Sequence, residues 1–253
     1  MNLRKNISAW AGLAALLALS PAFAGTFTIS PLRVDFADAT GMAVLTVRNE
    51  DATPVVVQTQ GLAWSQEAGQ DALTPSRDIL ISPAVFTLQP GGSQLVRVAL
   101  RRNVDPVREL TYRVLLQEVP QVASPGFNGL QVVLRLSVPV FVEPLTPAAA
   151  QVAWIASRGD DGRLSLSARN DGSAHARIHG FSVKTADGAT TVLDQPELAY
   201  VLPGSSRHWT FDDNNNTRLN AQSTTGPGMA GPYRLEGTTD RGSFAAELTL
   251  TAD

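Results

Sequence analysis

The sequence has no cysteine and very little lysine, histidine or aromatic character. Without cysteine no disulfide can stabilise the chain, so its hydrophobic cores must be large enough to do so. Lysine occurs only as Lys5 and Lys184, and nearly every fixed positive charge is therefore an arginine. The formal net charge of −3 gives no sign of a nucleic-acid surface, which would need clustered cations.

A secretory signal peptide is predicted for residues 1–24. Arg4 and Lys5 give it a positive start, and an apolar run follows over Ile7–Leu19. Ala22–Ala24 fits the small-x-small cleavage pattern that precedes a new N-terminus at Gly25. The alternative is an uncleaved membrane anchor, but the run is shorter than the roughly 20 apolar residues that a membrane span needs. We therefore expect an exported mature chain that does not insert into the membrane.

Predicted β-strands dominate the first half of the mature chain, and no segment has the period and caps of a helix. Runs rich in Val, Leu, Thr and aromatics alternate with turn formers. The predicted strands are Phe27–Val34, Met42–Asn49, Val55–Trp64, Ile79–Phe86, Ser93–Leu100, Thr111–Val119 and Leu130–Val142. Seven short strands separated by turns predict a β-sandwich of immunoglobulin type.

A stiff linker is predicted at residues 144–147, because two of these four residues are proline. Beyond it the strand pattern begins again. The second set of predicted strands is Val152–Ser157, Arg163–Asn170, Ala176–Thr185, Thr190–Leu193, Ser205–Phe211, Gly231–Thr238 and Ser243–Thr251. The sequence therefore predicts an all-β chain with two immunoglobulin-like β-sandwich domains, at residues 25–143 and 148–253.

Candidate catalytic and metal-binding residues are few. His175 and His179 are four residues apart, but on a strand that spacing separates them by about 13 Å, too far to share a metal. His208 follows two serines, but no nucleophile elbow surrounds them. We therefore expect no enzyme activity, no bound metal and no cofactor.

Two other classes of function remain open from the residues alone. Tandem β-sandwiches also serve as non-catalytic adhesive or structural modules of the cell surface. A carbohydrate-binding or hydrolytic module would need an aromatic platform. After removal of the signal peptide the tryptophans are Trp64, Trp154 and Trp209, which are scattered and typical of core positions.

The last predicted strand of the first domain, Leu130–Val142, is unusually long and has one wholly aliphatic face. That face consists of the even-numbered residues Leu130, Val132, Leu134, Leu136, Val138, Val140 and Val142. Pro139 has no N–H to donate, which places its nitrogen on a sheet edge. A long apolar edge strand invites pairing with another chain, so it can complete a partner's sheet. The alternative is a strand that simply covers its own domain core.

Several motifs, in order, resemble the chaperones of chaperone–usher pilus assembly over nearly the whole mature chain. They are Ser30-Pro31-Leu32-Arg33-Val34, Val47-Arg48-Asn49, Leu88-Gln89-Pro90-Gly91, Leu95-Val96-Arg97-Val98, Tyr112-Arg113-Val114, Glu118-Val119-Pro120 and the segment Leu130–Pro144. The resemblance implies two immunoglobulin-like domains in an L-shaped arrangement. It also implies that Leu130, Val132, Leu134, Leu136 and Val138 are donor-strand residues facing the groove of a pilus subunit.

The resemblance further implies that two basic residues hold the C-terminal carboxylate of the subunit. The first corresponds to Arg33. The second is commonly a lysine, whose position here lies close to Pro139, and the first domain contains no lysine. The archaic branch of the family, which serves spore-coat-like pilins, has a tyrosine-arginine pair that Tyr112 and Arg113 resemble. Arginine suits the task because its planar fork binds a carboxylate through two hydrogen bonds.

For Arg33 and Arg113 the alternative role is a surface or interdomain ion pair. Arg135 lies on the other face of the donor strand and is a weaker candidate, which we expect to pair with Glu118 or solvent. The resemblance implies a periplasmic protein whose partners are pilin subunits and an outer-membrane usher. Self-association of the free protein stays open.

Overall fold

The computed structural model describes residues 27–37, 41–120, 132–158, 164–184, 190–193, 199–211, 233–248 and 250–252, and in this part regular structure is entirely β-strand. The predicted signal peptide at residues 1–24 and the donor-strand candidate Leu130 lie outside the described residues. Within the described part, no helix is long and apolar enough to cross a membrane.

Ten strands build the first sandwich. They are β1 (Phe27–Ser30), β2 (Val34–Phe36), β3 (Met42–Asn49), β4 (Val55–Glu67), β5 (Gln70–Pro75), β6 (Ile79–Ser82), β7 (Val85–Leu88), β8 (Ser93–Leu100), β9 (Leu110–Glu118) and β10 (Arg135–Val142). One sheet has the order β1-β3-β8-β6. The other has the order β2-β10-β9-β4-β5, with β7 also paired to β4.

The first core lies between these two sheets because their strands alternate buried and exposed side chains. Leu45 and Val47 of β3 and Val96 and Val98 of β8 face inward from one sheet, and each is 0% exposed. From the other sheet Leu116 of β9 joins the same buried cluster. This period of two is what the sequence pattern predicted.

Prolines split two of the predicted strands. Pro31 ends β1, and the chain then crosses to the opposite sheet as β2. Pro83 similarly separates β6 from β7, which also belong to different sheets. A proline cannot donate to a ladder, so a strand is easily interrupted there. The predictions of single strands at Phe27–Val34 and Ile79–Phe86 are therefore wrong.

Nine further strands build the second sandwich. They are β11 (Val152–Arg158), β12 (Leu164–Asn170), β13 (Ala176–Lys184), β14 (Thr190–Leu193), β15 (Ala199–Val201), β16 (Ser206–Phe211), β17 (Tyr233–Thr239), β18 (Gly242–Leu248) and β19 (Leu250–Ala252). The sheets have the orders β16-β12-β11-β19 and β14-β13-β17-β18, with β15 paired to β13. Trp154 and Trp209 pack at this core, as expected for scattered tryptophans.

Leu116 and Leu95 provide a test of the inward and outward faces. Replacing Leu116, which is 0% exposed, by alanine leaves a cavity, so we expect a loss of about 2–5 kcal/mol in the free energy of unfolding. The matched control is Leu95→Ala on β8, where the side chain is 48% exposed and we expect a change within about 0.5 kcal/mol. Urea unfolding followed by tryptophan fluorescence measures both. Equal losses in the two variants would contradict the assignment of faces.

Candidate functional site

The two sandwiches meet at an aromatic cluster formed by Trp64 of β4, Phe141 of β10, and Tyr200 and Leu202 at and beyond β15. The ring centroids of Trp64 and Tyr200 are 5.3 Å apart, and those of Phe141 and Tyr200 are 5.4 Å apart. All four side chains are buried. We call this set the interdomain aromatic cluster.

A buried polar pair lies beside this cluster. Phe141 stacks on the ring of His175, with centroids 3.7 Å apart and planes 15° apart. Glu109, which comes just before β9, accepts a hydrogen bond from the His175 ring at Nδ1 over 2.7 Å. Both side chains are almost fully buried. The hydrogen bond gives the imidazole Nδ1 and the carboxylate a partner, and without it the burial of each polar group would cost free energy. The pair therefore fixes the start of β9 against the start of β13.

A hairpin that the sequence analysis did not predict gives a second tie between the domains. β4 runs on to Glu67 and turns through Ala68 and Gly69 into β5. Gly69 has a φ of +78°, and a Cβ there would collide with the His208 ring of the second domain. Gln66 donates to the Tyr200 carbonyl over 2.8 Å. Its side-chain oxygen accepts from the Leu202 N–H over 3.0 Å.

An ion pair continues this second tie. Arg207 of β16 donates to Asp71 of β5 over 2.7 Å. The pair joins the same hairpin to the second domain, on the hairpin arm opposite Gln66. The hairpin is therefore held to the second domain by side chains from both of its strands.

Arg113 lies on the interdomain aromatic cluster. Its guanidinium carbon is 3.7 Å from the centroid of a Trp64 ring and 5.8 Å from that of Tyr200. Stacking on an aromatic face suits a planar guanidinium, and such contacts are worth about 0.5–2 kcal/mol. The side chain is half-buried.

Arg33 approaches the same cluster from the other side. Its guanidinium carbon lies 5.0 Å from the centroid of Phe141. It pairs with Asp35 over 2.8 Å and with Asp240 of the second domain over 3.1 Å. Burial by itself lowers the pKa of Arg33, but hydrogen bonds and charge from Asp35, with Asp240, raise the pKa overall, so the guanidinium stays charged. The alternative predicted from sequence, an interdomain ion pair, is present.

The structure thus brings the two predicted arginines to one place. Phe141 and Trp64, on which they lie, are 5.9 Å apart between ring centroids. Arg33 comes just before β2 and Arg113 lies on β9, and these strands flank β10 on its two sides. Spacing in the sequence did not show this, because the two residues are eighty positions apart and meet only through the sheet order.

The first half of β10 is an open sheet edge in the described part of the chain. β9 pairs with β10 over its whole length, whereas β2 pairs only with Val140–Val142. The Leu134 carbonyl accepts from the Glu118 N–H over 2.9 Å, which sets the alternation of the antiparallel ladder. Backbone groups of Arg135 and Ser137 therefore point away from β9, towards the edge without a strand partner. The nitrogen of Pro139 lies on that side, as predicted.

The even-numbered face of β10 is partly a core face, which corrects one predicted residue. Val138 is 3% exposed and lies opposite the buried Val114 of β9, so it does not face a partner's groove. Val140 and Val142 are also in the core, so the alternative of a strand covering its own domain holds for this half. The physical reason is that from Val138 onwards the even-numbered side chains of β10 lie in the core between the two sheets of the first domain.

Towards its N-terminal end the same face leaves the core. Leu136 and Leu134 are half-buried at the margin of the first core, and Val132 is 73% exposed. Arg135 is exposed on the other face, and Glu118 accepts a hydrogen bond from the Leu134 N–H over 3.2 Å. Val132 and Leu134 precede β10, and among the described residues of this aliphatic series Val132 is the exposed one, whereas Leu134 and Leu136 pack at the margin of the core.

Sequence analysis missed several residues that build this site. The sequence did not single out Phe141, Glu109 or Asp240, and it pointed to His175 only as a rejected metal ligand. One signal was present. Phe141 is a large aromatic on the otherwise mixed face of β10, directly after Pro139 and Val140, where a solvent-facing position would usually be polar.

Part of the chain matches a known protein family. Residues 26–147 match the family described as pili and flagellar-assembly chaperone, PapD N-terminal domain. This part of the chain is therefore similar to the N-terminal domain of PapD-type chaperones. Over 148 residues the chain is 29% identical to the chaperone protein LpfB of Salmonella typhimurium. That alignment covers 57% of the chain and 60% of LpfB, so it spans less than two thirds of this curated relative.

Solved structures extend the likeness in fold beyond residues 26–147. One is a chain of the CsuC–CsuE chaperone–subunit pre-assembly complex from archaic chaperone-usher Csu pili of Acinetobacter baumannii. Its TM-score is 0.62 and its sequence identity is 20%, and the match covers 89% of this chain and 99% of that chain. Another is a chain of the Salmonella enterica SafA pilin–SafB chaperone complex, with a TM-score of 0.59 and 18% identity over 89% and 98%. The fold is therefore that of two-domain PapD-like chaperones.

The Glu109–His175 contact yields a prediction about stability. Glu109→Ala should cost about 1–3 kcal/mol of unfolding free energy, because it leaves a buried imidazole N–H without an acceptor. Glu109→Gln should cost less, since its amide oxygen can still accept. The control is Asp171→Ala, which breaks the exposed Arg169–Asp171 pair and should leave the free energy of unfolding nearly unchanged. Urea unfolding distinguishes them, and a neutral Glu109→Ala would contradict the role given to this pair.

Proposed function

We propose that this protein is a periplasmic chaperone that binds pilus subunits by donor-strand complementation and delivers them to an outer-membrane usher. One observation carries the proposal. The open edge of β10 leads along the first domain to the interdomain aromatic cluster, which Arg33 and Arg113 both contact. The match of residues 26–147 to a chaperone family supports it, and the adhesive or structural alternative is not favoured.

The strand-lending step follows from the backbone of β10. Outward-pointing groups of Arg135 and Ser137 offer hydrogen bonds to an added strand, which gives affinity without regard to side chains. The aliphatic residues Val132, Leu134 and Leu136 would enter the groove of the unfinished subunit, and Leu130 would extend the series. Val138 is excluded because its own core encloses it.

The carboxylate step follows from the position of the arginines. Arg135 and Phe141 are six residues apart on β10, about 20 Å in strand geometry. A subunit strand laid on this edge with its C-terminus at the cleft would bring its terminal carboxylate to Arg33 and Arg113. Two arginines in place of an arginine and a lysine support assignment to the archaic branch, as does the likeness in fold to a chain from archaic Csu pili.

The remaining parts of the proposal come from the sequence. A signal peptide at residues 1–24 would direct the chain to the periplasm. The PapD-type domain would comprise residues 25–143, the linker 144–147 and the second domain 148–253. The protein would act without catalysis, metal or cofactor, with pilin subunits and an usher as its partners.

The carboxylate step is tested by Arg113→Gln, which removes the charge but keeps a planar amide near Trp64. When the chaperone is co-expressed with a pilin, we expect at least a tenfold decrease in the pilin that co-purifies, because a charge-assisted bidentate contact is lost. Arg135→Gln is the control, since this arginine is exposed on the face away from the core. Purifying folded Arg113→Gln still fully loaded with pilin would exclude Arg113 as an anchor.

The strand-lending step is tested by Val132→Glu. Because Val132 is 73% exposed, the change should leave folding intact, while a charge in the subunit groove should abolish co-purification of pilin. Val133→Glu is the matched control: it places the same charge one residue along, on the opposite face, and should retain most of the binding. Equal effects of the two substitutions would argue against an alternating donor strand.

A further inference from the structure

Two carboxylates contact Arg33, and they occupy different edges of its guanidinium. Asp35 Oδ1 lies 2.8 Å from both Nε and Nη2, and Oδ2 accepts from Nε over 2.9 Å, so Asp35 occupies the side-on edge formed by Nε and Nη2. Asp240 accepts from Nη1 over 3.1 Å. The end-on edge, formed by Nη1 and Nη2, is the one that a further carboxylate needs for a bidentate contact. Asp240 therefore occupies Nη1, one of the two nitrogens that an incoming end-on carboxylate needs, whereas Asp35 lies on the Nε–Nη2 edge.

Asp240 reaches Arg33 from the second domain on a short turn. Thr239 and Gly242 are paired at the ends of β17 and β18, so Asp240 and Arg241 form a two-residue hairpin loop. The Thr239 hydroxyl donates to the Gly242 carbonyl over 2.9 Å and accepts from the Arg241 N–H over 3.2 Å. The backbone of the loop is thus held, and the Asp240 carboxylate can turn about its side-chain bonds alone.

Little else holds the Asp240 carboxylate. In the described part of the chain Arg33 is the side chain within hydrogen-bond distance of it, while His175 Nε2 is 4.0 Å away. The Asp240 side chain is 24% exposed. A pocket of about 400 Å³ opens beside Arg33; it is lined also by His175 and Arg241 and by the acidic residues Asp35, Glu109 and Glu143. There is room beside the arginine for a carboxylate from another chain.

We propose that Asp240 is an internal competitor, whose carboxylate occupies Arg33 in the free chaperone and must leave when a subunit's C-terminal carboxylate binds. This inference rests on the proposed function. Replacing the Asp240 carboxylate on Arg33 by the carboxylate of a subunit contributes little binding free energy by itself. A subunit therefore displaces Asp240 only when its strand also pairs with β10, which makes the arginine selective for such subunits. Asp35 has the opposite role, because it orients the guanidinium and stays in place.

The test uses a pilin that co-purifies with the wild-type chaperone. Differently tagged wild-type and Asp240→Asn chaperones are co-expressed with a limiting amount of that pilin, and the pilin loaded on each is quantified by mass spectrometry. Because an exposed ion pair is worth about 0.2–1 kcal/mol, we expect Asp240→Asn to carry about one and a half to five times more pilin than wild type. Asp240→Ser should behave in the same way.

Three control variants separate competition from a loosened domain interface. Asp71→Asn breaks the other interdomain ion pair, with Arg207, and should leave loading unchanged. Asp35→Asn should decrease loading, since Arg33 loses its orienting partner. In an Arg33→Ala background, Asp240→Asn should have no effect.

Each result bears on the proposal. Equal or lower loading of Asp240→Asn, or an increase that persists with Arg33→Ala, would overturn the competitor role. A similar increase in Asp71→Asn would overturn it as well, because interface loosening would then be sufficient. A wild-type chaperone that retains no pilin at all would instead overturn the proposed function on which the inference rests.

Discussion

The contact between Phe141 and His175, with Glu109 behind the imidazole, is the interaction on which the arrangement of the site depends. Phe141 belongs to β10 and is 1% exposed, so the strand with the open edge is held in the domain interface at its C-terminal end. Burying a phenylalanine side chain is worth about 1.5–3 kcal/mol. The stacked ring and the hydrogen-bonded imidazole therefore fix both the position of the second domain and the end of β10.

This junction explains why the basic residues of the cleft are arginines. Arg33 and Arg113 each lie over an aromatic ring of the interface, at 5.0 Å from Phe141 and 3.7 Å from Trp64. A guanidinium can stack on a ring and still direct its N–H groups at a carboxylate in its plane. A lysine ammonium is a compact point charge and offers no such planar fork. The aromatic cluster that joins the domains thus also supports the charges of the site.

The aliphatic residues of β10 and of the segment before it lie in two different environments. From Val138 its aliphatic face packs in the core of the first domain, which makes the strand rigid. Before that point the face passes the margin of the sandwich and becomes exposed at Val132. A continuous aliphatic pattern therefore contributes to stability at one end and is exposed at the other, at Val132. The same alternation serves both ends because a strand repeats every two residues.

Much of the fold was predictable because strand alternation and turn chemistry are local properties. Met42–Asn49, Ser93–Leu100 and Thr190–Leu193 have the predicted bounds. The predictions were wrong where a proline moved the chain to another sheet, and β5 and β15 were missed. β5 is the second arm of the hairpin that β4 begins, and it contacts the second domain through Asp71 and Arg207. Its own sequence has no strand pattern that would predict it.

For the candidate site, the sequence by itself determined the residue types: an aliphatic strand, an edge proline, and arginines without lysine in the first domain. Only the tertiary structure decided how they are used. It enclosed Val138, left Val132 exposed, and placed Asp240 on Arg33 from 207 residues away in the chain. The physical reason is that burial and ion pairing depend on which strands lie side by side. Neither the order of strands in a sheet nor the docking of two domains is recorded in a local pattern of residues.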